Sequence, residues 1–119
     1  MMILGLLGGC TPAEAQCAAP QADIPATVVS GAILTLRVSN LWEDCHDTGE
    51  GRGTPLTTVE IEAVVAGNTD DVIATAGAQV GADATAVVDL FIPADVTGAL
   101  VIRVQPGAVV LGTVSVTTP

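Results

Sequence analysis

Ala84-Thr85-Ala86-Val87-Val88-Asp89-Leu90-Phe91-Ile92-Pro93-Ala94-Asp95-Val96-Thr97-Gly98-Ala99-Leu100-Val101-Ile102-Arg103-Val104-Gln105 decides the fold. Two alternating runs flank a turn. In the first, Ala86, Val88, Leu90 and Ile92 share one face and Asp89 opposes them. In the second, Leu100, Ile102 and Val104 oppose Val101 and Arg103. A period of two marks half-buried β-strands. Pro93 cannot donate to a ladder and ends the first run. Asp95 and Gly98 supply turn chemistry before the second. The same alternation recurs outward. Residues 32–40 place Leu34, Leu36 and Val38 against Thr35, Arg37 and Ser39. Residues 58–66 place Val59, Ile61 and Ala63 or Val65 inward, with Glu60 and Glu62 outward. Residues 26–30, 71–76 and 109–117 complete the set, and Asn68-Thr69-Asp70-Asp71 reads as a turn. Helical periodicity is nowhere sustained. The pattern predicts an all-β chain, an antiparallel sandwich of about seven strands.

The passage Ile92-Pro93-Ala94-Asp95-Val96-Thr97-Gly98, set between strands, is similar to Ig-like domains of bacterial surface proteins, where such a turn precedes the penultimate strand. The resemblance covers roughly residues 24–117 and implies an Ig-like fold more than a function. The Trp and cysteine spacing of antibody domains is absent.

The chain opens Met1-Met2-Ile3-Leu4-Gly5-Leu6-Leu7-Gly8-Gly9-Cys10. An uncharged apolar run into two glycines and a cysteine resembles the lipobox of bacterial lipoproteins. It implies cleavage before Cys10, lipid on that cysteine, and residence on the outer face of the cell membrane. Several acyl chains on one cysteine would hold a protein stably, where a single chain holds it marginally. The expected organisation is a truncated lipoprotein signal segment at 1–9, a lipid-anchored tether at 10–23 and an Ig-like β-sandwich domain at 24–119. No Lys or Arg precedes Arg37, so the positive n-region of a signal peptide is missing, and a start upstream of Met1 would account for that. A rival stands beside this reading. Ala13-Glu14-Ala15 is an A-x-A site, and cleavage after Ala15 would release a soluble secreted protein beginning at Gln16. No stretch reaches the 18 or more apolar residues of a membrane span.

A single domain of 119 residues buries one core. Half the residues are apolar but small, with one Trp, one Phe and no Tyr. The formal charge is −10, from 13 acids against Arg37, Arg52 and Arg103, with no Lys. Nucleic-acid binding needs a cationic face, and so does attraction to anionic headgroups; both are excluded as partners on this inventory. Charge of this size favours solubility of an exposed domain.

With Cys10 taken by lipid, Cys17 and Cys45 remain, and an oxidising compartment favours a disulfide between them. Closing that loop would stabilise by about 3–4 kcal/mol.

Residues 41–55 break the alternation. They hold the only Trp, the only His, Cys45, four acids and three glycines. Long loops often carry function, so Trp42, Glu43, Asp44, His46, Asp47, Glu50 and Arg52 form the candidate ligand loop. Its carboxylates are oxygen ligands of the kind calcium takes, but the spacing does not match an EF-hand. The plainer reading is a solvated acidic loop pinned by Cys45, and no metal ligand and no cofactor is assigned. Blue copper needs two His, and the chain has one. A hydrolase triad would have to join His46 to Ser30, Ser39 or Ser115, with no G-x-S-x-G present. Carbohydrate cleavage would lack aromatic platforms beyond Trp42. Trp42 either plugs one end of the sandwich or anchors a partner. Arg37 and Arg103 are expected to pair across strands with Glu60, Glu62 or Asp89.

The expectation is therefore a non-enzymatic cell-surface lipoprotein that binds or supports at the envelope, held to the membrane by its lipid. The alternative is a secreted ligand- or cation-binding module. Open edge strands also allow self-association edge to edge; a protein or small-ligand partner is not named by the residues.

Overall fold

The computed structural model describes residues 19–44, 54–105 and 107–119. They form strands and turns without a helix: β1 (Gln21–Ala22), β2 (Thr27–Val29), β3 (Ile33–Ser39), β4 (Trp42–Asp44), β5 (Thr54–Pro55), β6 (Thr58–Val65), β7 (Asn68–Gln79), β8 (Ala86–Phe91), β9 (Gly98–Gln105) and β10 (Val109–Thr117). The smaller sheet has the order β1-β3-β8 and the larger β2-β10-β9-β6-β7. All pairings are antiparallel except β2 with β10. The fold is an all-β sandwich. Of the longer strands, β3 and β8 lie in one layer and β6, β7, β9 and β10 in the other.

Alternation builds the core. Leu34, Leu36 and Val38 of β3 and Ala86, Val88 and Leu90 of β8 line one inner face. Val59, Ile61 and Ala63 of β6, Leu100, Ile102 and Val104 of β9, and Val114 and Val116 of β10 line the other. The two inner faces form one cluster. Small β-branched side chains suit this layered packing because they fill a pleated surface with little rotamer freedom to lose.

Three elements differ from the sequence reading. Gln21–Ala22 pairs with Ser39 and Val38, so a short strand occupies part of the segment expected as tether. The reversal before β7 falls at Ala66-Gly67, where Gly67 has φ +87°, and not at 68–71. Asn68 pairs with Val65 and lies within β7, a strand of 12 residues where a short one was expected. Bulges in the β6–β7 ladder lie beside Ala63, Val64 and Val65, and there two successive residues, Ala63 and Val64, are both buried. Strict alternation would have separated them.

Turns lock the ends. Gly31, at φ +83°, donates to the Ile92 carbonyl at 2.8 Å, and Ile92 donates to the Ala32 carbonyl at 2.9 Å. The Pro93 turn closes with Val96 N–H on the Pro93 carbonyl at 3.3 Å. Because β3, β7 and β9 run one way and β6, β8 and β10 the other, the sandwich has two distinct ends. The β4–β5 strands, the 80–85 turn and the β9–β10 turn share one end. The start of β1 joins them there, since it pairs with the end of β3.

Candidate functional site

The expected ligand loop stands on a built stem. Leu41 is fully buried; its N–H donates to the Ala84 carbonyl at 2.9 Å, and its own carbonyl accepts from Leu56 N–H at 2.9 Å. Above that anchor Trp42 pairs with Pro55 and Asp44 with Thr54, so β4 and β5 form a separate two-stranded sheet. The stem is tied into a strained corner. Asn40 (φ +63°) and Ala84 (φ +61°) both adopt left-handed backbone. Asparagine tolerates that region, whereas alanine is held there by its surroundings. Ala84 is fully buried, and its N–H donates to the Gly81 carbonyl at 2.9 Å.

Trp42 is half-buried and packs against the core. Glu43 is exposed. Cys10, Cys17, Cys45, His46, Asp47, Glu50 and Arg52 lie outside the described residues. The described neighbours of the two expected disulfide partners share one end of the sandwich: the Asn40 side-chain amide donates to the Ala19 carbonyl at 3.3 Å, and Asp44 closes β4 nearby in the chain.

The larger sheet carries a polar constellation on its outer face. Arg103 Nε donates to Glu62 Oε1 at 2.7 Å, and Gln105 Nε2 donates to the same oxygen at 3.3 Å. Gln105 Oε1 in turn accepts from Ala108 N–H at 3.1 Å, so the β9–β10 turn fixes the amide's orientation. The Arg103 hydrogen bond, then that of Gln105, holds the Glu62 carboxyl below its ordinary pKa. This confirms the expected pairing for Arg103. Glu60 and Gln105 also border an open groove of about 840 Å³, with Gly77 opposite Glu60.

Arg37 behaves otherwise. Its neighbour on β8 is Val87, not an acid, because Asp89 stands two pairs further along and accepts from the Thr35 hydroxyl at 2.7 Å. Among the described residues Arg37 has no ion pair. It borders a groove of about 450 Å³ with Asp23, Ser39 and Leu111.

Ser30 is buried, and its hydroxyl has no hydrogen-bond partner among the described residues. Its N–H donates to the Thr117 carbonyl at 2.8 Å, which places it at the end opposite the β4–β5 stem. Among the described residues no group of three or more His, Cys, Asp or Glu side chains is placed to hold a metal ion. No helix there is long and apolar enough to cross a membrane. No protein-family model, curated protein or solved structure matches the chain.

Proposed function

We propose that this is a cell-surface lipoprotein, acylated at Cys10, whose sandwich serves a non-catalytic binding or supporting role at the envelope. The observation that carries the reading is Leu7-Gly8-Gly9-Cys10 directly after an apolar run. The fold supports it through the place where the chain enters. Pairing begins at Gln21, so the stretch from Cys10 spans at most roughly 40 Å when extended. The entry lies at the end that carries the β4–β5 stem. An anchor at Cys10 turns that end toward the bilayer and the opposite end, with the Pro93 turn and the C-terminus, away from it. A Cys17–Cys45 disulfide would shorten the free tether further, and the contact of Asn40 with Ala19 supports that pairing.

Binding, where it occurs, is assigned to residues 42–52, the first three of which form β4 of the stem. Rigid elements that carry a variable tip are the usual way sandwiches position a recognition surface. The test is incorporation of labelled fatty acid in a bacterial host. Label on the wild type that is lost in Cys10→Ser supports the proposal. An unlabelled mature protein beginning at Gln16 would replace it with the secreted module.

A further inference from the structure

The chain has only two aromatic residues, and one of them is spent on the surface: Phe91 is 58% exposed. Directly across the ladder lies Ile33, 61% exposed. Val87, on the same outer face of β8, is also exposed. A core this poor in large side chains gains from burying every one it has, so an exposed Phe–Ile pair marks a surface that something covers.

Charge says what covers it. The protein carries −10 overall, yet the outer face of the β3–β8 pair carries one cation, Arg37, and one anion, Asp89. It is a locally neutral face that a second, equally acidic copy can approach. The groups are also self-complementary. The Thr35 hydroxyl occupies Asp89 Oδ1 at 2.7 Å, which leaves the other oxygen to accept, while Arg37 has no ion pair among the described residues. Asp23 borders Arg37 from the β1 side without reaching ion-pair distance.

We propose that two copies of this chain associate face to face through the outer surfaces of β3 and β8. The two-fold axis runs along the strands, between them. That operation lays Ile33 on the second copy's Phe91, and Phe91 on its Ile33. It brings Arg37 within two residues, about 7 Å along the strand, of the second copy's Asp89, a reach that a guanidinium spans. It also keeps both chain entries at the same end, so two lipid-anchored copies stand on one membrane. This last point rests on the proposed anchor; the interface itself does not. Three short strands offer less area than the roughly 800 Å² per partner of a standard interface, so the dimer is weak in solution. Confinement to a surface strengthens it through effective concentration.

Edge pairing is the competing geometry. The backbone bonds of Ile92 to Gly31 and Ala32 set the ladder phase, so Val87, Asp89 and Phe91 direct their main-chain groups to the open edge of β8. A two-fold centred on that edge opposes Asp89 to its own copy, and like charges there repel.

The experiment uses the full chain with Cys10→Ser, so that no acyl chain drives association. Sedimentation equilibrium is run from micromolar to near-millimolar concentration. The expected result is a reversible monomer–dimer equilibrium that Phe91→Ser, an exposed change the fold tolerates, weakens at least about tenfold. Arg37→Asp and Asp89→Arg each weaken it, and the two together restore it. A strict monomer throughout, or association undiminished by Phe91→Ser, would overturn the proposal. So would tighter association in Asp89→Ala, which edge pairing requires. Loss of lipid from the wild-type protein with this dimer intact would remove the anchor reading and leave the interface standing.

Discussion

Replacing Leu36 by alanine separates the inner face of β3 from the outer one. Leu36 is fully buried, opposite Val88 in the ladder and between Leu34 and Val38 along the strand. Its neighbours belong to two sheets held by many ladder bonds, so they cannot close over a missing isobutyl group. Leucine-to-alanine changes at such sites cost about 3 kcal/mol, part lost transfer energy and part cavity. The matching control is Ile33→Ala on the same strand, with a side chain 61% exposed. Its cost in the monomer is within about 0.5 kcal/mol. Urea unfolding of the Cys10→Ser chain at micromolar concentration reads both. With a slope of about 1.2 kcal/mol per molar, Leu36→Ala lowers the midpoint by roughly 2.5 M while Ile33→Ala leaves it nearly in place. Equal costs, or a larger cost for Ile33→Ala, would mean that β3 presents its other face to the core, and the register argued above would be wrong.

Other perturbations follow from single contacts. Glu62 has its carboxyl pKa lowered in the folded protein, so its contribution is complete above the ordinary carboxylate range and is lost as pH falls through the lowered value. Glu62→Gln should therefore flatten the acid limb of the stability–pH curve below about pH 4 and cost roughly 0.5–1 kcal/mol at neutral pH, the discounted worth of a solvent-facing pair. An unchanged acid limb would deny the Arg103 pairing. Gly98 has φ +102° with open space where a Cβ would go, so Gly98→Ala should cost about 1–2 kcal/mol from backbone strain alone, read as a lower melting temperature. Ser30→Ala removes a buried hydroxyl that has no partner among the described residues and should raise stability by about 1 kcal/mol; a loss of that size would show that the hydroxyl is satisfied.

The strands readable in advance are those with contrast between faces. Leu-Thr-Leu-Arg-Val in β3 and Val-Glu-Ile-Glu-Ala in β6 differ sharply from one residue to the next, and burial follows the alternation. In β7, Ala74, Ala76 and Ala78 face inward between Thr75 and Gly77, side chains too similar in size to reveal a face. The opening Asn68-Thr69-Asp70-Asp71 has turn composition, but an edge strand has one side in water and tolerates it. Gly67, one residue earlier, takes the left-handed conformation that the reversal needs. Two- and three-residue strands such as β1, β4 and β5 are too short for any period to register. Pairing partners are a further layer. Alternation places Arg37, Asp89 and Glu62 outward, but only the ladder register decides that Arg103 meets Glu62 and that Arg37 faces Val87. Alternation likewise places Phe91 and Ile33 outward, but only the register sets them side by side. Of the ligand loop, the stem from Leu41 to Asp44 and from Thr54 to Leu56 is in place, with Trp42 turned to the core. Cys45, His46, Asp47, Glu50 and Arg52 fall outside the described residues.

The intact mass of the mature protein, purified from membranes without reduction, tests the central claim most directly. The account predicts a chain beginning at Cys10, heavier by its acyl groups and lighter by two hydrogens for a Cys17–Cys45 bridge. A lipid-free chain beginning at Gln16 would contradict it, and the sandwich would then be that of a secreted module.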